Sequence, residues 1–267
     1  MIELTLRVGA GDAEEVLDAV LPTLPGGAHV REAGEAVLLT IAATPGTPDE
    51  EELRRLVGSR LIDLTAAEAS DDWRERRLAR YQPLIVAERF LLRPDWAPPG
   101  EGPDLIEIVL EQGPAFGTGL HPTTQACLAT MAEVEAGGSF SDVGCGSGVL
   151  SIAAAKLGWS PIVAIDVDPN SIRIARGNAD RNGVAIDARR VDVASEPAPG
   201  AETVVANVPP VVQLALAESL DATPSLLIAS GFKPDEIPAV ASAWEKRELS
   251  IADEVQANEW SVLVMRP

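Results

Sequence analysis

The stretch Asp142-Val143-Gly144-Cys145-Gly146-Ser147-Gly148 constrains this chain more than any other. A short strand pattern enters it, and an apolar helical segment, Val149 to Leu157, leaves it. Three glycines at alternate positions remove every Cβ from the inside of the strand-to-helix turn. Backbone then approaches a ligand closely, and the first N–H groups of the helix point at it. A small-molecule cofactor is the first expectation, and the remaining residues decide which one.

After this turn, strands and helices alternate. Ile162–Asp166, Ala188–Asp192, Thr203–Asn207 and Ser225–Ser230 read as strands, and Pro169–Asn182, Val211–Leu220 and Pro234–Trp244 as helices. Two strands near Leu249–Val255 and Trp260–Met265 follow with no helix between them. The order predicts a doubly wound, mostly parallel α/β sheet closed by an antiparallel strand pair. In such a sheet a ligand lies over the carboxyl ends of the strands. Those ends supply Gly144, Asp166, Asp192 and Asn207.

Each of these residues can be given a task. Asp166 ends an apolar strand 22 positions after Gly144, placed to accept hydrogen bonds from ribose hydroxyls. That suits NAD or S-adenosylmethionine equally, and the glycine spacing separates them. The dinucleotide fingerprint needs a third small residue at position 149, where this chain has Val149 and puts its third glycine at Gly148. With no pyrophosphate to cradle, Gly144, Gly146 and Gly148 suit the amino-acid end of S-adenosylmethionine. Asp142 either organises the turn by accepting from nearby N–H groups or meets the cofactor amino group. Asp192, or the backbone of Val193, is expected beside adenine. Asn207, with a donor and an acceptor, stands where a methyl acceptor must lie. Cys145 has no evident base and is not expected to be a nucleophile. His121 reads as structural before catalytic. With two cysteines and two histidines, no zinc site is expected.

Upstream, residues 1–69 read in the order βαββαβ, a small α+β ferredoxin-like domain. Residues 70–103 carry Trp73, Tyr81, Phe90 and Trp96 among prolines and read as a packed connector; a basic run at Arg74, Arg76, Arg77 and Arg80 reads as a solvated face. Residues 104–267 form the cofactor domain. Within it Gly113 to Thr124 is too rich in Gly and Pro to be regular, and Thr123 or Thr124 is expected to cap a helix from Gln125 to Val134. The net charge of −20 argues against a broad grip on nucleic-acid phosphates and admits a basic partner. Without a signal-peptide pattern or an apolar run near ~20 residues, a cytoplasmic, non-membrane monomer is expected.

Several segments together resemble one family. Gly117-Thr-Gly-Leu-His-Pro-Thr-Thr124, Asp142 to Gly148, Ile165-Asp-Val-Asp-Pro169, Asn178-Ala-Asp-Arg-Asn-Gly183, Val205-Ala-Asn207 and Ser230-Gly231 are similar to the ribosomal protein methyltransferases of the PrmA type. The resemblance runs from about Asp72 to the C-terminus. It implies a class I S-adenosylmethionine-dependent methyltransferase fold and N-methylation of protein eleven of the large ribosomal subunit, on lysine or α-amino groups. It implies cofactor contacts at Thr124, Gly144, Asp166 and Asn207. Phe116, Gly117, Thr118 and His121 would form the wall of the cofactor and acceptor site. Independently of the resemblance, the carbonyls of the Val208-Pro209 loop are expected to orient the acceptor nitrogen together with Asn207. The N-terminal domain would recognise the substrate.

The chain departs from the family pattern at Asn207-Val208-Pro209-Pro210 and at Leu120, and it carries Ser139 and Ser141 where aliphatic residues are usual, which predicts a weak strand there. Other expectations compatible with the residues are a methyltransferase with a different nitrogen acceptor, a degenerate fold that only binds a partner, and, more distantly, an NAD-dependent oxidoreductase.

Overall fold

The computed structural model describes residues 2–20, 23–24, 28–34, 36–43, 46–68, 82–100, 105–111, 119 and 121–267. The contacts divide the chain into two units, Met1–Tyr81 and Gln82–Pro267. The aromatic residues Trp73 and Tyr81 and the basic run at 74–80 lie outside the described residues. Among the described residues no helix is long and apolar enough to cross a membrane.

The first unit follows the order β1 (Ile2–Gly9), α1 (Ala13–Val20), β2 (His29–Ala33), β3 (Ala36–Ala42), α2 (Glu50–Val57), β4 (Leu61–Glu68). Its strands form one antiparallel sheet in the order β2-β3-β1-β4, so each helix crosses between strands that are not neighbours. Alternation in β1 turns Leu4, Leu6 and Val8 to a core shared with Val16, Val20 and Leu53 of the helices. The sequence Pro48-Asp49 starts α2 through a capping box: the Asp49 carboxylate accepts from Glu52 N at 2.9 Å, and the Glu52 carboxylate accepts from Asp49 N.

The second unit opens with β5 (Leu84–Val86), β6 (Phe90–Pro94) and β7 (Ile106–Leu110), a separate three-stranded sheet. The segment read as connector therefore supplies two strands, and Phe90 is fully buried beneath them. Arg93 on β6 clasps the Glu107 carboxylate on β7 through Nε and a terminal nitrogen, at 2.7 and 3.2 Å. This contact, with burial opposing it, holds the Glu107 pKa below the usual carboxylate value.

There follow α3 (Pro122–Glu133), β8 (Phe140–Val143), α4 (Val149–Leu157), β9 (Ile162–Asp166), α5 (Pro169–Asn182), β10 (Asp187–Arg190), β11 (Thr203–Asn207), α6 (Pro210–Ser219), β12 (Leu226–Phe232), α7 (Ile237–Glu245), β13 (Ser250–Ala257) and β14 (Trp260–Arg266). Seven strands lie in the order β10-β9-β8-β11-β12-β14-β13. The first five are parallel, and the β13–β14 pair closes the sheet antiparallel. Winding reverses between β8 and β11, so the crevice at their carboxyl ends is the topological switch point. The glycine turn leaves β8 there, and Asn207 ends β11 beside it.

β8 is not weak. All four of its residues are buried, and Ser141 donates through Oγ to Pro199 O at 2.9 Å, while Ser139 Oγ accepts from Glu202 N at 2.9 Å. The serines replace apolar packing with satisfied hydrogen bonds to the chain entering β11. Apolar layers cover both faces of the sheet: Phe140, Ile152 and Trp159 on one side, Val204, Leu227 and Trp244 on the other.

Candidate active site

The glycine turn is folded back on β9. Gly144 N and Cys145 N donate to Ile165 O at 2.9 and 3.0 Å, and Gly146 N donates to Asp166 Oδ2 at 2.9 Å. Gly144 has φ +72, and a Cβ there would stand 2.3 Å from Val208 Cγ1. Glycine thus permits both the left-handed backbone and the approach of the Val208 loop. Asp142 is buried to 1% exposure, and its Oδ2 accepts from Ser151 N at 3.0 Å and Ser151 Oγ at 2.5 Å. It ties the strand before the turn to the first turn of α4. Burial lifts its pKa to about 6 against the pull of the Ser151 hydrogen bonds, and the Asp166 charge adds to the rise.

Asp166 accepts from Asp168 N through its other oxygen, Oδ1, at 2.9 Å. Both carboxylate oxygens are thereby aimed by backbone, with further lone pairs remaining for hydroxyl donors. Val167 follows with 54% exposure, an apolar side chain open at the strand end. Asp168 then caps α5, accepting from Asn170 N and Ser171 N. Asp192 lies past β10, and its Oδ1 accepts from Ala194 N at 3.0 Å in the turn that also contains Val193. Cys145 is buried, and burial followed by the charges of Asp142 and Asp166 pushes its thiol far above neutrality. It carries no thiolate for nucleophilic chemistry.

Helix α3 starts earlier than its threonines suggest. His121 is its N-cap: ring Nδ1 accepts from Thr123 N at 3.3 Å and lies 2.7 Å from Thr123 Oγ1, with Pro122 in the first helical position. Capping by Thr123 or Thr124 is therefore corrected to capping by the imidazole, an acceptor the sequence pattern does not single out. Thr124 is left free of that duty and turns its Oγ1 to Asn207 Nδ2 at 3.4 Å. Asn207 Oδ1 is buried with no hydrogen-bond partner among the described residues. An orphan acceptor at the switch point is costly to the fold unless a ligand donor meets it.

The Val208 loop is held from below. Val208 N donates to Ser230 O at 3.0 Å, and Gly231, at φ +95, forms a bulge where β12 and β14 shift register. A Cβ on Gly231 would stand 2.5 Å from Val208 O. Gln213, fully buried, donates from Nε2 to Ala206 O and Ser230 O at 2.8 and 3.0 Å and accepts from Trp244 Nε1. Pro209 is the N-cap residue of α6 and Pro210 its first residue, positions where a missing N–H costs nothing. The double proline is a helix start, and Pro209 stays exposed at the rim.

Two further asparagines on α5 bear on the site. Asn178, fully buried, accepts from Glu111 N at 2.7 Å and donates to Ser147 O at 2.9 Å. Asn182 accepts from Val109 N and donates to Val109 O. They take the place of a neighbouring strand for β7 and tie it to the glycine turn. The spacing Asn178…Asn182, one helical turn, is visible in sequence but names no partner. Gln213 is a lone amide in an apolar helix, which is the available signal for it. Phe116, Gly117 and Thr118 lie outside the described residues.

The family described as "Ribosomal protein L11 methyltransferase (PrmA)" matches residues 51–267. The chain belongs to this family. A relative named ribosomal protein L11 methyltransferase, from Pelotomaculum thermopropionicum, is 35% identical over 220 residues, covering 80% of this chain and 71% of the relative. One of the same name from Vibrio parahaemolyticus is 37% identical over 195 residues, covering 71% and 65%. The aligned regions thus span about two thirds of these relatives' lengths. The crystal structure of a ribosomal protein L11 methylase from Lactobacillus delbrueckii subsp. bulgaricus superposes with TM-score 0.63 at 28% identity, covering 69% of this chain and 98% of that one. The seven-stranded unit is a class I methyltransferase fold, and the family is S-adenosylmethionine-dependent. The Gly144 cradle and the orphan Asn207 oxygen fit that cofactor and its acceptor.

Proposed function

We propose that the chain transfers methyl groups from S-adenosylmethionine to amino nitrogens, lysine ε-amino or α-amino, of protein eleven of the large ribosomal subunit. The observation that carries this reading is the unpartnered Asn207 Oδ1 beside Thr124 at the switch point. When bound, S-adenosylmethionine supplies a methyl group on a positively charged sulfur. The Gly144–Gly148 turn receives its amino-acid end, Asp166 accepts from its ribose hydroxyls, and Val167 and Asp192 flank its base. Asp142 acts by holding the turn to α4.

Asn207 Oδ1 accepts an N–H of the incoming amine and so turns the nitrogen lone pair toward the methyl. Charge moves from sulfur to nitrogen without being created, so alignment is the main contribution. A lysine amine, at an ordinary pKa of ~10.4, must arrive unprotonated, and desolvation in the crevice lowers that value. His121 is not set to take this proton, because its Nδ1 is engaged by Thr123 and a neutral ring then carries hydrogen on Nε2. Water carries the proton away. The small N-terminal unit recognises the basic substrate; residues 1–69 hold 13 acidic and 5 basic residues, a formal charge of 5 − 13 = −8.

The test is transfer of labelled methyl to the purified ribosomal protein, read by mass spectrometry, for wild type and Asn207→Ala. Transfer by wild type and an about 10²-fold slower single turnover in the variant, at unchanged cofactor affinity, is expected. No label in the ribosomal protein would remove the substrate. Lost cofactor affinity with normal turnover would reduce Asn207 to a cofactor ligand.

A further inference from the structure

Lys233, Glu259 and Trp260 meet at the rim of the same crevice, and the chemistry above leaves them without a role. Asn207 pairs in register with Ser230, and Lys233 leaves the carboxyl end of β12 three residues later. Phe232 pairs with Ser261, so Glu259 and Trp260, at the β13–β14 turn, emerge at the same end of the sheet. Ser230 pairs in turn with Val262, so two strand spacings of about 4.8 Å and a step of two residues along β14 put Trp260 about 12 Å from Asn207.

Lys233 Nζ lies 3.0 Å from Glu259 Oε2 and 5.9 Å from the centroid of the Trp260 ring. His121 meets that ring edge-on, with centroids 5.2 Å apart at 65°, and so fixes its plane. A carboxylate beside an aromatic face is a recognition site for a cation. The cation present is an internal one, one of three lysines in the chain. Its side chain and that of Glu259 are 51% and 66% exposed, so the pair is held weakly and exchanges readily for another cation.

We propose that Glu259 and Trp260 form a subsite for a second basic side chain of the substrate polypeptide, about 12 Å from Asn207, and that Lys233 occupies it as a placeholder which the substrate displaces. This rests on Asn207 marking the acceptor site. In an extended peptide, residues four apart share a face and are separated by about 13 Å, so a lysine four positions from the acceptor reaches the subsite. An acidic chain, at net charge −20, favours such a basic partner from a distance.

A purely structural bridge and a placeholder predict different signs. If the Lys233–Glu259 pair only braces the turn, Glu259→Gln and Lys233→Met act in the same direction. If Lys233 competes with substrate, they act oppositely. The experiment titrates the full chain, saturated with S-adenosylhomocysteine so that no turnover occurs, with two peptides. One is acetyl-Gly-Lys-Ala-Ala-Ala-Lys-Gly-amide, and the other has norleucine in place of the second lysine.

Wild type is expected to bind the two-lysine peptide about fivefold more tightly, Glu259→Gln to lose that preference, and Lys233→Met to enlarge it severalfold. S-adenosylhomocysteine affinity, measured for each variant, reports that the fold is intact. Both variants weakening binding together, or wild type failing to distinguish the peptides, overturns the proposal. Because no methyl transfer is read, failure of the ribosomal substrate leaves this result standing by itself.

Discussion

Gly231→Ala tests whether the β12 bulge sets the position of the acceptor residue. The added Cβ would lie 2.5 Å from Val208 O, 2.7 Å from Val208 C and 2.8 Å from Val208 N. All three are backbone atoms, so no side-chain rotation relieves the contact. Reaching an ordinary separation of about 3.5 Å requires the Val208 loop to move by about 1 Å. Alanine at φ +95 adds strain of about 1–2 kcal/mol, offset by less than about 1 kcal/mol from the stiffer unfolded chain. The variant should lose about 1–3 kcal/mol of stability and remain folded.

The larger effect falls on rate. Asn207 is the residue before Val208, and a misplacement near 1 Å of a positioning group costs about 10²-fold. Urea denaturation, cofactor calorimetry and single-turnover methyl transfer separate the terms. The expected pattern is slow transfer at nearly unchanged cofactor affinity. Transfer within twofold of wild type in a folded variant would refute the idea that the Val208 loop sets acceptor geometry. Cofactor affinity falling in step with the rate would move the bulge's role to the cofactor side.

Two pH-linked predictions accompany it. The Asp142 pKa rises from 3.8 to about 6 on folding, so its stability contribution is full below pH ~4 and is lost as pH rises through about 6. About two units at ~1.36 kcal/mol each make the buried carboxylate cost about 3 kcal/mol at pH 8. Asp142→Asn keeps an acceptor for Ser151, so its urea midpoint should exceed wild type at pH 8 and converge with it near pH 4.5; a larger deficit at pH 8 than at pH 4.5 would count against the burial argument. His121→Ala should cost about 1 kcal/mol as a lost cap, and His121→Asn should restore most of it. Burial, opposed by the Glu259 charge, holds the ring pKa below its ordinary 6.5. Protonation removes the Nδ1 acceptor, so the cap contributes above pH ~6.5 and is lost as pH falls through the lowered value; if the asparagine variant shows the same acid-side loss, the imidazole is not its source.

What could be read without coordinates followed local rules. The Gly144–Gly148 turn, the alternation of strands and helices and the strand-end residues Asp166 and Asn207 each declare themselves within a few positions. What could not be read depends on who meets whom. Leu105–Leu110 reads as a strand, but nothing in it says that β7 leaves the main sheet to pair with β6 and be gripped by Asn178 and Asn182. Ser141 looks like a defect until Pro199 O is seen to accept its hydrogen bond.

The Asn207-Val208-Pro209-Pro210 segment is the sharpest instance, because the same residues look different at each level. As a motif they depart from the family, and two prolines suggest a stiff loop with missing donors. In the fold the loop ends at once: Pro209 and Pro210 begin α6, and Val212 N and Gln213 N donate back to Pro209 O at 2.9 and 3.1 Å. Gln213 then reaches under the strand to Ala206 O and Ser230 O. The prolines fix where the helix starts, the helix places the glutamine, and the glutamine joins the two strand ends that flank Val208. Gly144 leaves room for the Val208 side chain and Gly231 for its backbone, at would-be Cβ contacts of 2.3 and 2.5 Å. A substitution that changes the motif but preserves the helix start therefore leaves Asn207 where the sheet puts it. A single methyl group added at Gly231, where the contact is with Val208 backbone, does not.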